Sequence, residues 1–183
     1  MSTATFGIGG TGMSWGRRAA AVVAAALLGG TMTAGTAGAA APKEVCGWTS
    51  TPAGWIEIRY WDSTQCGPLG GGMYNMKRIA DTSGVAPGRT VAACTYSPKP
   101  AGFRVTRYTS ISDCNRSRGT SDYHNQVDLV NLTGLAKGAT RQICGLFDVP
   151  AGWTVVSRSR SVDCQQYKYG YPSNDNTMTI RKS

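Results

Sequence analysis

The sequence predicts an all-β protein built from three tandem, disulfide-stapled antiparallel modules, and three observations carry that reading. The six cysteines fall into equally spaced pairs: Cys46 and Cys66, Cys94 and Cys114, Cys144 and Cys164. Six residues after each first cysteine comes one motif, as Pro52-Ala53-Gly54-Trp55, Pro100-Ala101-Gly102-Phe103 and Pro150-Ala151-Gly152-Trp153. Each motif opens a stretch rich in β-branched and aromatic residues with alternating apolar positions, the pattern of a half-buried strand. Repeat periods of 48 and 50 residues mark a tandem architecture rather than one irregular domain.

The elements follow in order within each unit. A short strand ends at the first cysteine, in Glu44-Val45-Cys46, Val91-Ala92-Ala93-Cys94 and Gln142-Ile143-Cys144. Pro-Ala-Gly is turn chemistry, because proline presets φ and glycine accepts positive φ. The long strand comes next, with Ile56, Ile58 and Tyr60 on one face of the first unit. In the second unit Phe103, Val105, Arg107, Thr109 and Ile111 alternate in the same way, and Thr154-Val155-Val156 opens the third. Asn75, Asn125 and Asn176 stand four residues before Ile79, Leu129 and Ile180, which predicts a third strand. Gly84 and Gly88 in the first connector match Gly134 and Gly138 in the second. No amphipathic helix is expected. The units are residues 40–93, 94–143 and 144–183.

Two cysteine pairings respect the repeat. One joins Cys46–Cys66, Cys94–Cys114 and Cys144–Cys164; the other crosses the junctions and closes with Cys46–Cys164. The constant nineteen-residue loop favours the first. Each such bridge stabilises its module by about 3 kcal/mol in the chain-entropy view, which matters because units this short are marginal on a hydrophobic core alone. Two architectures remain open, a pseudo-threefold barrel of trefoil type or a side-by-side array.

Residues 1–39 read as a secretory signal peptide: Arg17 and Arg18, then an apolar stretch from Ala19 to Leu28, then small residues to Ala37-Gly38-Ala39. Removal of that leader leaves 17 of the 19 Lys and Arg and all ten acidic residues, a formal charge of +7 against +9 for the whole chain. The expected location is therefore extracellular, an oxidising setting that suits an even cysteine count. No later stretch is long and apolar enough for a transmembrane anchor.

Catalysis finds little to work with. His124 is the only histidine, Glu44 and Glu57 are the only glutamates, and no Gly-x-Ser-x-Gly elbow occurs. With every cysteine committed to a disulfide, neither a metal site nor a cofactor is expected. Arg104 and Arg107, Arg116 and Arg118, Arg158 and Arg160, and Arg181-Lys182 spread positive charge without a nucleic-acid motif. Arg158 and Arg160 are expected to share a strand face. The aligned aromatics Trp55, Phe103 and Trp153 read as core residues, as do Trp48, Tyr96 and Leu146, two positions after each first cysteine. Asp113 and Asp163, with Gln65 at the same place in the first unit, read as loop hydrogen-bonding residues. Aromatics that break the repeat are the better ligand candidates: Trp61, which stands where Thr109 and Ser159 do, and the alternating Tyr167, Tyr169 and Tyr171.

Cysteine, Pro-x-Gly-aromatic, cysteine, Asn-x-x-x-Ile resembles the short cysteine-paired repeats of secreted bacterial proteins, many actinobacterial, of unknown function. The likeness covers nearly all of residues 44–183 and implies a module, not an activity. The expected function is that of a secreted, non-enzymatic binding protein for extracellular or cell-envelope glycan. The alternative is a secreted effector acting on an extracellular protein, such as a protease inhibitor or antibacterial factor, and a third is a self-associating coat component.

Overall fold

The computed structural model describes residues 40–68, 72–119, 123–146, 148–165 and 175–183; the expected leader lies outside them. The chain is all-β, with three antiparallel sheets of one topology. The strands are β1 (Lys43–Cys46), β2 (Trp55–Trp61), β3 (Met76–Asp81), β4 (Thr90–Cys94), β5 (Phe103–Thr109), β6 (Gln126–Asn131), β7 (Thr140–Cys144), β8 (Trp153–Ser159) and β9 (Thr177–Lys182). The sheet orders are β1-β3-β2, β4-β6-β5 and β7-β9-β8, so the Asn-x-x-x-Ile strand is always central. Disulfides join Cys46–Cys66, Cys94–Cys114 and Cys144–Cys164, one per module. Among the described residues no helix is long and apolar enough to cross a membrane.

Each repeated motif has a mechanical cause. The amides of Trp55, Phe103 and Trp153 donate to the carbonyls of Pro52, Pro100 and Pro150. Gly54, Gly102 and Gly152, at φ of 80, 81 and 75°, occupy the turn position that needs positive φ. The asparagine is a side-chain clamp. Asn125 accepts from the Ile111 amide at 2.9 Å and donates to the Ile111 carbonyl at 2.8 Å. Asn75 binds Ser63, and Asn176 binds Ser161, in the same two-way fashion. Each clamp ties the start of the central strand to the segment leading into the 3-10 turn that carries the second cysteine (Thr64–Cys66, Ser112–Cys114, Val162–Cys164).

The long strands depart from simple alternation at one shared point. The register slips between Glu57 and Arg59, Val105 and Arg107, and Val155 and Ser157, which makes Ile58, Thr106 and Val156 single-residue bulges. Beyond the bulge every side chain changes face. Tyr60 pairs with Lys77 on the side of Glu57, whereas Trp61 pairs with Met76 on the side of Ile56. Arg107 is consequently exposed, and Tyr108 packs inward in its place. Strand β8 ends at Ser159, so Arg160 lies beyond it and shares no strand face with Arg158.

The modules are not separate beads, because their cores lie at the junctions. Strands β4 and β7 start before residues 94 and 144, so Ala93 and Ile143 belong to the second and third sheets. Ile56 of the first module packs with Ala93, Phe103, Val105, Val127 and Leu129 of the second. Val130 and Leu132 of the second pack with Ile143, Trp153, Met178 and Ile180 of the third. In both junctions the second strand of one module lies against the first strand and the 3-10 turn of the next. The bulge carbonyls of Ile58 and Thr106 approach Cys114 Sγ and Cys164 Sγ at 4.0 and 3.9 Å; a disulfide sulfur carries no proton, so these are packing contacts. Among the described strands and turns, the first and third modules make no comparable packing.

The two ends of the array differ from its middle. Where β2 and β5 carry Tyr60 and Tyr108, β8 carries Arg158, and Thr154, Val156, Ser157 and Arg158 are all exposed. At the other end, Glu57 and Lys77 replace the apolar pairs Val105 with Val127 and Val155 with Met178. The exposed polar positions of β8 are of the kind that stop a repeat stack from propagating, whereas Glu57 and Lys77 are buried within their own module.

Candidate functional site

Three places in the fold carry side chains that the repeat does not require. The first is inside module one. Lys77 Nζ lies 2.6 Å from Glu57 Oε1 and 2.9 Å from Thr51 Oγ1, and Tyr60 Oη donates to Glu57 Oε2 at 2.5 Å. Glu57 and Lys77 are 8% and 5% exposed. Burial alone raises a carboxyl pKa. Here hydrogen bonds from Lys77, Thr51 and Tyr60, with the Lys77 charge, outweigh it and hold Glu57 below its ordinary value. Burial and donation to Glu57 push Tyr60 well up. All the polar groups are matched, so this is a structural ion pair, closed to substrate.

The second place is the disulfide corner. The expectation that Trp48 and Tyr96 are core residues is overturned: they are 70% and 55% exposed. The turn after the first cysteine of modules one and two bends back on itself, with Thr49 and Ser97 amides donating to the Cys46 and Cys94 carbonyls, and so carries the intervening side chain outward. Arg116 lies 5.3 Å from the Tyr96 ring centroid. Leu146, at the same position, is half-buried. The core reading holds for Phe103 and Trp153, while Trp55 is half-buried beneath Lys43 at 4.8 Å.

The third place is the junction between modules two and three, where a cavity of about 580 Å³ is lined by Lys99, Arg104, Tyr108, Leu146, Asp148 and Asp175 among others. Sequence reasoning missed it, because its walls come from loops of two different units. The only available signal was the substitution of Lys99 and Arg104 for Thr51 and Ile56.

Of the aromatics nominated from sequence, Trp61 is half-buried, with Arg59 and Arg78 at 5.5 and 6.0 Å from its ring centroid. Tyr167, Tyr169 and Tyr171 lie outside the described residues. His124, at φ 52°, stacks on Tyr123, and its Nδ1 meets the Gln165 carbonyl of the third module. It therefore has a joining role that mirrors the Tyr74 amide, which donates to the Arg116 carbonyl between modules one and two. Asp113 faces Arg59 at 3.6 Å across the first junction. At Gln65 and Asp163 the backbone amide makes the loop bond, to Ser63 Oγ and Ser161 Oγ. Among the described residues no group of three or more His, Cys, Asp or Glu gathers as a metal site would require.

No family model, curated protein or solved structure matches this chain.

Proposed function

We propose that this chain is a secreted, non-enzymatic binding protein for extracellular or cell-envelope glycan, with Trp48 and Tyr96 as its stacking platforms. The observation that carries the reading is the exposure of two large aromatics at one repeat position, each held on a disulfide corner. A pyranose ring presents a flat apolar face, and an indole or phenol fixed on a rigid turn meets it with little ordering cost. Placing one platform on each of the first two modules suits a polymer with a repeating unit. Both glutamates and the histidine are engaged elsewhere: Glu57 with Lys77, Glu44 with Arg78, and His124 with Gln165.

The test is retention of oxidised protein on insoluble peptidoglycan, chitin and cellulose at low and high salt. Retention at high salt, lost in Trp48→Ala with Tyr96→Ala, is the expected result. Retention that salt abolishes would reduce the binding to net charge, and no retention would end the glycan reading. A second reading, an effector directed at an extracellular protein, draws on the exposed second strand of module three. An uncovered edge there could accept a partner's strand.

A further inference from the structure

The two junctions use the same repeat positions but fill them differently. Between modules one and two, Tyr60 packs on the Cys94–Cys114 disulfide and is 7% exposed, and the Glu57 amide donates to Ser97 Oγ at 2.8 Å. Between modules two and three, the corresponding Tyr108 and Cys144–Cys164 bridge line the cavity of about 580 Å³. That volume falls within the range of small-molecule sites.

The cavity walls are sorted by charge. Lys99 and Arg104 come from module two, Asp148 and Asp175 from module three, with Val105 and Leu146 as apolar surface. Among the described residues Lys99, Asp148 and Asp175 take part in no ion pair, so opposite charges share the cavity without cancelling. Arg104 Nη1 donates to the Phe103 carbonyl at 2.8 Å, which steadies the guanidinium, while its buried Nε–H has no acceptor. A carboxylate is the strongest common acceptor for a guanidinium, and it is the side chain of Arg104 as a cavity wall, not its enclosed Nε, that a ligand would meet. The scaffold does not demand these cations, since Thr51 and Ile56 hold the same positions in module one.

We propose that this cavity binds a short peptide in its zwitterionic form. Its carboxylate lies toward Lys99 and Arg104, its ammonium toward Asp148 and Asp175, and its small side chains against Val105 and Leu146. The site uses neither Trp48 nor Tyr96 and stands independently of the glycan reading.

The test is an NMR titration of the isotopically labelled, oxidised full chain with alanyl-alanine. Saturable shifts at Lys99, Arg104, Leu146 and Asp175 are expected. Capping the ammonium by acetylation, or the carboxylate as an amide, should each weaken binding roughly tenfold. Asp175→Asn should reproduce the first loss and Lys99→Gln the second, with the urea midpoint unchanged. Equal binding of the capped peptides overturns the proposal. So does the absence of saturable shifts up to about 20 mM, which means affinity weaker than the millimolar range. Saturation of the same signals by uncharged chitobiose, with no response to alanyl-alanine, overturns it in favour of a sugar.

Discussion

Replacing Lys77 with valine leaves the Glu57 carboxylate buried without its cation. The lost contacts are the 2.6 Å bridge to Glu57 and the 2.9 Å bond to Thr51, between residues 5% and 8% exposed. Removing one partner of a buried pair costs about 3–5 kcal/mol. Thr51 and Tyr60 still donate to Glu57, which places the expected loss near the low end, about 3 kcal/mol. In urea this lowers the unfolding midpoint by roughly 1–3 M at a slope of about 1–3 kcal/mol/M. The double variant with Glu57→Val as well recreates the Val105 and Val127 pair of module two. It should recover to within about 1 kcal/mol of the parent, the remainder being the acceptor lost by the Tyr60 hydroxyl. Tryptophan fluorescence of the oxidised protein reads both. A double variant as unstable as the single one would refute the charge-compensation reasoning. The pH dependence has a definite sign. The folded pKa of Glu57 lies below its unfolded value of 4.5, so its contribution is fully present above pH 4.5 and is lost as pH falls through the folded pKa. The double variant should lack that acid-side decline.

Other outcomes follow from single features. Gly54→Ala and Gly102→Ala both place a side chain at φ near 80°, but a Cβ at Gly54 meets nothing within 4 Å, whereas at Gly102 it would lie 2.1 Å from Thr133 Oγ1. Thermal melts should show a loss of about 1–2 kcal/mol at Gly54 and a distinctly larger one at Gly102. Asn125→Ala orphans the Ile111 amide and carbonyl in a buried clamp and should cost about 2–3 kcal/mol by denaturant titration. Thr154→Ile with Arg158→Tyr gives β8 residues like those of β2, and light scattering should then detect head-to-tail association; a strictly monomeric product would show that these polar residues are not what ends the array. Trp48→Ala should shift the melting midpoint by no more than about 0.5 kcal/mol in equivalent stability, so its loss of glycan retention cannot be laid to unfolding.

The module was legible in the sequence because its parts are local. The disulfide loop, the Pro-Ala-Gly turn and the strand that follows the asparagine four residues before Ile79, Leu129 and Ile180 each act within one unit. What was hidden depends on one extra residue or on a neighbour. A bulge at Ile58, Thr106 or Val156 leaves no composition signal, yet it moves Tyr108 inward, Arg107 outward and Trp61 to the other face. Alignment alone also misled at Trp48 and Tyr96, since a repeated position marks equal geometry and not equal burial. Asn75, Asn125 and Asn176 were visible as a pattern, but their clamp runs back across the second cysteine to Ser63, Ile111 and Ser161. The junction cavity needed both neighbours in place before any of its walls could be recognised.

Because the hydrophobic clusters straddle the junctions, the stretch of sequence that was copied differs from the stretch that can stand alone. A fragment ending near residue 93 would keep Cys46–Cys66 but leave Ile56 uncovered, since Phe103, Val105 and Leu129 would be missing. A fragment beginning at residue 144 would keep its own staple while losing Val130 and Leu132 from its apolar cluster. Excising any one copy therefore strips a neighbour as well. A copy can be added or removed without exposing a core only between matching junctions, with the first and last copies left in place.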